Sequence, residues 1–159
     1  MTHQPIEPPP TEGVHQLRVR YVECDPMGVA HHSSYLPWME IGRTELLRAV
    51  GASYAELEAA GVFLVITKCA LKYRRPIKYD DLIEIRTKVD NASKVKLNHS
   101  YEIVLIERSG LASDQVCAVG ETELACVDSD GKIRVLPEWL RGGERALPAA
   151  SESGLPEDL

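Results

Sequence analysis

The sequence predicts an α+β domain in which a curved antiparallel sheet wraps round one central helix. Three observations lead there. Residues 34–50 carry apolar side chains at helical spacing on more than one side, so this helix is mostly buried. Four long strand-like stretches, 62–75, 82–89, 94–106 and 115–128, then follow with only turn residues between or after them. Helices and strands are therefore segregated along the chain rather than alternating.

Taken in order, residues 15–23 read as the first strand. Leu17, Val19 and Tyr21 alternate with Arg18 and Arg20. A loop from Cys24 to Ser33, holding Pro26 and Gly28, leads into the helix. Ser33 or Ser34 suits its N-cap, Pro37 is tolerated in its first turn, and Gly51 suits the position after its end. Leu36, Met39, Leu46, Leu47 and Val50 share one face, with Trp38 and Ile41 away from it. A second helix fits 54–60, started by a Ser53/Glu56 capping box and stopped by Gly61. Asp80-Asp81, Asp90-Asn91, Ser109-Gly110 and Ser129-Asp130-Gly131 supply the turns, and 137–140 fit a last turn of helix. Pro-rich residues 1–13 read as an arm and 142–159 as an aperiodic tail, leaving 14–141 as the domain. A sheet of few strands leaves edges to manage, and pairing with a second copy predicts a homodimer or homotetramer.

Composition excludes several classes. The chain has 159 residues and a formal charge of −6, from 18 Lys+Arg against 24 Asp+Glu. A pI of 5.4 argues against a general nucleic-acid binder. No run approaches the ~18 apolar residues of a membrane span. The first residues lack a basic and then apolar leader, so a cytoplasmic location is expected. Four cysteines show no CxxC spacing; Cys69, Cys117 and Cys126 sit in apolar stretches and read as small buried hydrophobes.

Reactive side chains concentrate in the loop entering the helix, Glu23-Cys24-Asp25-Pro26-Met27-Gly28-Val29-Ala30-His31-His32-Ser33-Ser34-Tyr35. A carboxylate beside the free N–H groups of a helix N-terminus is what acyl transfer requires: one group attacks or activates water, and the donors hold the developing oxyanion. Duller readings stand beside it. Asp25 before Pro26 can simply open a turn. Cys24 can be a nucleophile with a histidine base, or pack inertly. Cys24, Asp25, His31 and His32 offer zinc ligands, but adjacent histidines seldom point at one ion.

The stretch from Val19 to Arg43, with Asp25-Pro-Met-Gly28, His31-His32-Ser-Ser34-Tyr35 and Glu40-Ile-Gly-Arg43, resembles the signature of hot-dog-fold acyl-CoA thioesterases. It is most similar to the 4-hydroxybenzoyl-CoA and Tol-Pal-associated thioesterase group. Gly51-Ala-Ser-Tyr54, Leu71-Lys-Tyr73-Arg-Arg-Pro76 and Tyr79-Asp80-Asp81-Leu82 extend the likeness over about residues 15–140. The resemblance implies hydrolysis of acyl-CoA thioesters without metal or cofactor. It implies Asp25 as nucleophile or general base and the His31 backbone N–H as oxyanion donor. His32 would shape the loop or touch substrate, and Gly28 would let the backbone approach it. Ser34 and Tyr35 fall at substrate-facing motif positions. Glu40 and Arg43 read as a structural helix pair. Cys24, His31 and Ser34 depart from the residues common there, and none of the three removes the carboxylate.

Lys68, Lys72, Arg74, Arg75 and Lys78 form an acid-free stretch, with Lys94 and Lys96 on another strand. Alternation places Lys68, Lys72 and Arg74 on one face. A solvated strand face is the plain reading; with the resemblance, Arg74 and Lys94 become candidates for the coenzyme A phosphates. Two other functions compete with hydrolysis. A non-catalytic acyl-CoA or acyl-carrier binder would have no need of Asp25, and a hydratase would arrange Asp and His differently on the helix.

Overall fold

The computed structural model describes residues 10–49 and 51–141. The expected tail 142–159 and most of the expected arm lie outside them, as does Val50. Five antiparallel strands form one sheet in the order β1-β3-β4-β5-β2: β1 Glu12–Arg18, β2 Phe63–Tyr73, β3 Leu82–Ala92, β4 Lys96–Arg108 and β5 Leu111–Val127. Helix α1, Tyr35–Arg48, lies in the concavity of the sheet, and the short α2, Tyr54–Ala59, follows. This is the α+β layout expected, a sheet wrapped round one helix.

Local chemistry explains most boundaries. Ser53 Oγ accepts the Glu56 N–H at 3.2 Å, so the capping box starts α2. Ser109 and Gly110 both have positive φ, 52° and 79°, which closes the β4–β5 hairpin in two residues. The inner faces of β3 and β4 alternate strictly: Ile83, Ile85, Thr87 and then Leu97, His99, Tyr101, Ile103 point at α1 and are buried. Trp38, fully buried, and Met39 meet Ile83, Ile85, Tyr101 and Ile103 in the main core. Gly42 lets α1 approach the sheet: a Cβ there would collide with Thr87 Oγ1 and sit 2.9 Å from Ile85 Cγ2.

Several expectations are corrected. β1 begins at Glu12, inside the expected arm, because Thr11 O and the Glu12–Arg18 backbone pair with β3. It also ends at Arg18. Residues 21–23 turn in a 3-10 helix, and Tyr21 is 80% exposed rather than inward. Leu36 is exposed, because the buried face of α1 is set by Tyr35, Trp38, Met39, Gly42, Leu46 and Leu47. The β3–β4 turn falls at Ser93–Lys96, where Ser93 Oγ accepts two backbone N–H groups, while Asp90 and Asn91 stay in the strand. Cys117 and Cys126 are buried as expected, but Cys69 on the edge strand is exposed.

Candidate active site

The reactive loop is tied at both ends to the sheet. Val19 N–H donates to Asp81 O at 2.9 Å and Asp80 N–H to Val19 O at 3.0 Å, so β1 leaves the sheet beside the 76–81 segment. Glu23 is the knot of the loop. Its buried carboxylate accepts Arg20 N–H at 2.7 Å, the Arg20 guanidinium at 3.1 and 3.2 Å, and the Trp38 indole N–H at 3.0 Å. Its carbonyl accepts the His31 N–H and the Ser34 hydroxyl, both at 2.8 Å. One residue thus binds the loop to the core of α1.

Asp25 sits at the tip of this loop. Its N–H donates to Val29 O at 2.9 Å, Gly28 N–H returns to Asp25 O at 3.0 Å, and Asp25 Oδ1 accepts Met27 N–H at 2.9 Å. Gly28 takes φ +79°, a conformation that favours glycine, to close the turn. Asp25 therefore does open a turn, and that turn fixes its carboxylate while Oδ2 keeps no hydrogen bond among the described residues. Ala30 N–H donates to Ile77 O at 2.7 Å. The 76–81 segment is itself held by Arg108, whose guanidinium grips the buried Asp81 carboxylate at 2.9 and 2.7 Å and Pro76 O at 3.1 Å.

The entry to α1 differs from the expected cap. His31 is the cap of a 3-10 turn, His32–Ser34, that precedes the helix: its Nδ1 accepts Ser33 N–H at 3.2 Å and lies 2.6 Å from Ser33 Oγ. Ser34 makes no cap, because its hydroxyl is spent on Glu23 O. The His31 N–H, assigned by resemblance to the oxyanion, is likewise engaged by Glu23 O. The first N–H of the turn, His32's, has no hydrogen bond among the described residues, as the first donor of a helix should not. His31 and His32 rings stack with centroids 4.1 Å apart. Tyr35 is buried against Tyr73, edge to face at 4.9 Å, and burial pushes its hydroxyl up to about 12. Tyr73 OH donates to His32 O at 2.9 Å, fixing the end of β2 beside the loop.

The duller chemistries lose ground here. Burial, then the carboxylates of Glu23, Asp25 and Asp81, push the Cys24 thiol up, which disfavours a thiolate nucleophile. Among the described residues, no three His, Cys, Asp or Glu side chains converge as metal ligands.

The basic stretch divides. Lys68 pairs with Glu121 at 3.2 Å and Lys96 with Glu123 at 2.9 Å. Arg74 follows β2 at the Asp25 end, its N–H on Cys117 O at 2.8 Å and its side chain exposed. Lys94 lies in the β3–β4 turn, at the opposite end of the sheet, so one chain does not bring Arg74 and Lys94 together. Sequence reasoning missed the Glu23–Trp38 anchor and the Asp81–Arg108 clamp. Both join residues distant in the chain, and Asp81 reads by itself as a turn aspartate. The Arg-x-x-Glu spacing of Arg20 and Glu23 is the one local signal for the anchor.

A five-stranded antiparallel sheet that enfolds one long helix is the hot-dog arrangement of the thioesterase class. Residues 19–143 match the family model of the thioesterase-like superfamily. The acyl-CoA thioester hydrolase YbgC of Escherichia coli O6:H1 is 34% identical over 125 residues, 78% of this chain and 89% of that protein. YneP of Bacillus subtilis is 33% identical over 88 residues, 55% of this chain and 64% of that protein. The crystal structure of the DHNA-CoA thioesterase from Staphylococcus aureus superposes with a TM-score of 0.71 and 29% identity, covering 79% of this chain and 80% of that one. The chain belongs to the thioesterase-like superfamily.

Proposed function

We propose that this protein hydrolyses acyl-CoA thioesters to the free acid and CoA, with Asp25 as the reacting carboxylate. The observation that carries the reading is the placement of Asp25: a loop knotted by Glu23 holds its carboxylate in a fixed turn with Oδ2 unbonded among the described residues, and the same loop leads into the turn whose first N–H, that of His32, is unpartnered. In the nucleophilic route Oδ2 attacks the thioester carbon, the carbonyl oxygen takes up negative charge facing the His32 N–H, and CoA leaves as thiolate. Water then cleaves the mixed anhydride. In the general-base route Oδ2 takes a proton from water, which attacks instead. His32, rather than His31, supplies the backbone donor in either case, because the His31 N–H is already bound. Arg74, Arg75 and Lys78, exposed and without ion pairs among the described residues, favour the CoA phosphates at this end.

A second copy completes this picture. β2 is an edge strand of 11 residues with Val65, Ile66 and Tyr73 exposed, an edge that pairing with another β2 would cover. Mass in solution reads this directly, and a monomer at micromolar concentration removes it. No helix among the described residues is long and apolar enough to cross a membrane.

The test is thiol release from short, long and aromatic acyl-CoA esters. Asp25→Asn should lower kcat by roughly 10²–10⁴-fold, the usual range for a lost acid–base group. Undiminished turnover in the variant refutes the role of Asp25. Binding without turnover by the wild type would favour the non-catalytic acyl-CoA binder.

A further inference from the structure

The Asp25 loop, residues 19–30, hangs from one short segment of chain. At its entry Val19 N–H donates to Asp81 O at 2.9 Å and Asp80 N–H to Val19 O at 3.0 Å. At its exit Ala30 N–H donates to Ile77 O at 2.7 Å. Cys24 bridges to Ala30, so the exit bond also steadies the arm of the loop that carries Asp25. Both ends therefore depend on residues 77–81, just before β3. Glu23 ties the loop to α1, and the 77–81 segment ties it to the sheet.

Asp81 holds that segment in shape, and it is 1% exposed. Its Oδ2 accepts the Lys78 N–H at 2.7 Å, and Asp80 between them takes φ +68°, so the carboxylate closes a turn. The same carboxylate takes both prongs of Arg108, the last residue of β4: Nε at 2.9 Å and Nη2 at 2.7 Å, while Nη2 also reaches Pro76 O at 3.1 Å. Closing the turn needs only an acceptor, which an asparagine would supply. A carboxylate withdrawn from water is unfavourable by itself, and the guanidinium offsets that cost. What the two-pronged pair adds is orientation, because a planar fork fixes distance and angle together. The pair also lies close to the reacting end of the loop. The thiol of Cys24, next to Asp25, is pushed up by burial first and then by the charges of Glu23, Asp25 and Asp81.

We infer that Asp81 and Arg108 are positioning residues for the reaction: their fork sets the loop from the sheet side and so fixes where Asp25 stands relative to the first turn of α1. The inference rests on the proposed acyl-CoA reading and adds two residues to its site. Both act through the hydrogen bonds at Val19, Asp80 and Ala30 rather than on substrate. The site is thus held from two sides, by Glu23 on the helix and by the fork on the sheet.

The experiment pairs acyl-CoA hydrolysis with amide hydrogen exchange on Arg108→Met, Arg108→Lys and the double variant Arg108→Met/Asp81→Asn, each at a temperature where it is folded. Arg108→Met should lower kcat at least about tenfold with KM within about threefold, since misplacing a reacting group by about 1 Å can cost far more. Its Asp25 and Ala30 amides should exchange at least about tenfold faster, while amides in the middle of β4 keep their protection. Arg108→Lys keeps the charge without the fork and should fall between. The double variant removes the uncompensated carboxylate and should recover part of the lost kcat; if Arg108→Met does not fold, Arg108→Lys and the double variant carry the test. Unchanged kcat in the folded variants overturns the inference, whether or not the loop loosens. So does a fall in kcat with loop exchange unchanged, or a loss that lies mainly in KM, since either means that the pair acts other than through the loop. If the wild type hydrolyses no acyl-CoA ester, the hydrolytic reading fails, and loop exchange alone decides whether the fork holds the loop: unchanged exchange in every variant overturns it.

Discussion

Replacing Glu23 by leucine tests whether one buried carboxylate holds the Asp25 loop on the helix. The substitution removes the acceptor of the Trp38 indole N–H, which lies in a fully buried side chain. An orphaned donor there costs about 1–3 kcal/mol. It also removes the side-chain acceptor of the Arg20 N–H at the head of the 3-10 turn, a capping loss of about 1 kcal/mol. The ion pair with Arg20 adds little, since that guanidinium is 72% exposed. The sum is about 2–4 kcal/mol. Urea unfolding should show it as a lower midpoint with an unchanged slope. Glu23→Gln keeps one acceptor oxygen and should lose about half as much. Because the Glu23 carbonyl also holds His31 and Ser34, kcat of Glu23→Leu should fall under conditions where the protein is still folded. A midpoint shift worth less than about 0.5 kcal/mol, or loss of stability with full activity, refutes the anchor.

Two more predictions concern the core. Gly42→Ala drives a Cβ into Thr87 Oγ1 and Ile85 Cγ2, and should cost about 1–3 kcal/mol by thermal or urea unfolding; a neutral result means the helix can lift from the sheet at no cost. His99 gives a pH dependence with a definite sign. Burial lowers its pKa from 6.5 to about 4 in the folded protein, so between these values the unfolded chain binds the extra proton. Its contribution is intact above pH 6.5 and is lost as pH falls toward 4, by about 3 kcal/mol in all. Urea midpoints across this window should slope accordingly, and His99→Gln should flatten the slope; an unchanged slope in the variant refutes the assignment.

The sequence by itself determined the element order and the fold class, because both rest on signals local to a few residues. The Ser53/Glu56 box, the Ser109-Gly110 turn and the alternation of β3 and β4 each carry their own physics. It also located Asp25 and Gly28, since a turn aspartate and the glycine that closes its loop are neighbours in the chain. What lay beyond it were the partners. Alternation says which way Lys68 or Lys96 points, not that Glu121 and Glu123 on β5 neutralise them. Asp81 reads as a turn residue until Arg108, on another strand, closes on it. A motif histidine assigns an oxyanion donor, but only the folded loop shows the His31 N–H taken by Glu23 and the next one left open. The tertiary structure likewise set Arg43 beside His99, 56 positions along the chain, because register between a helix and a sheet is decided by packing, which no single segment contains.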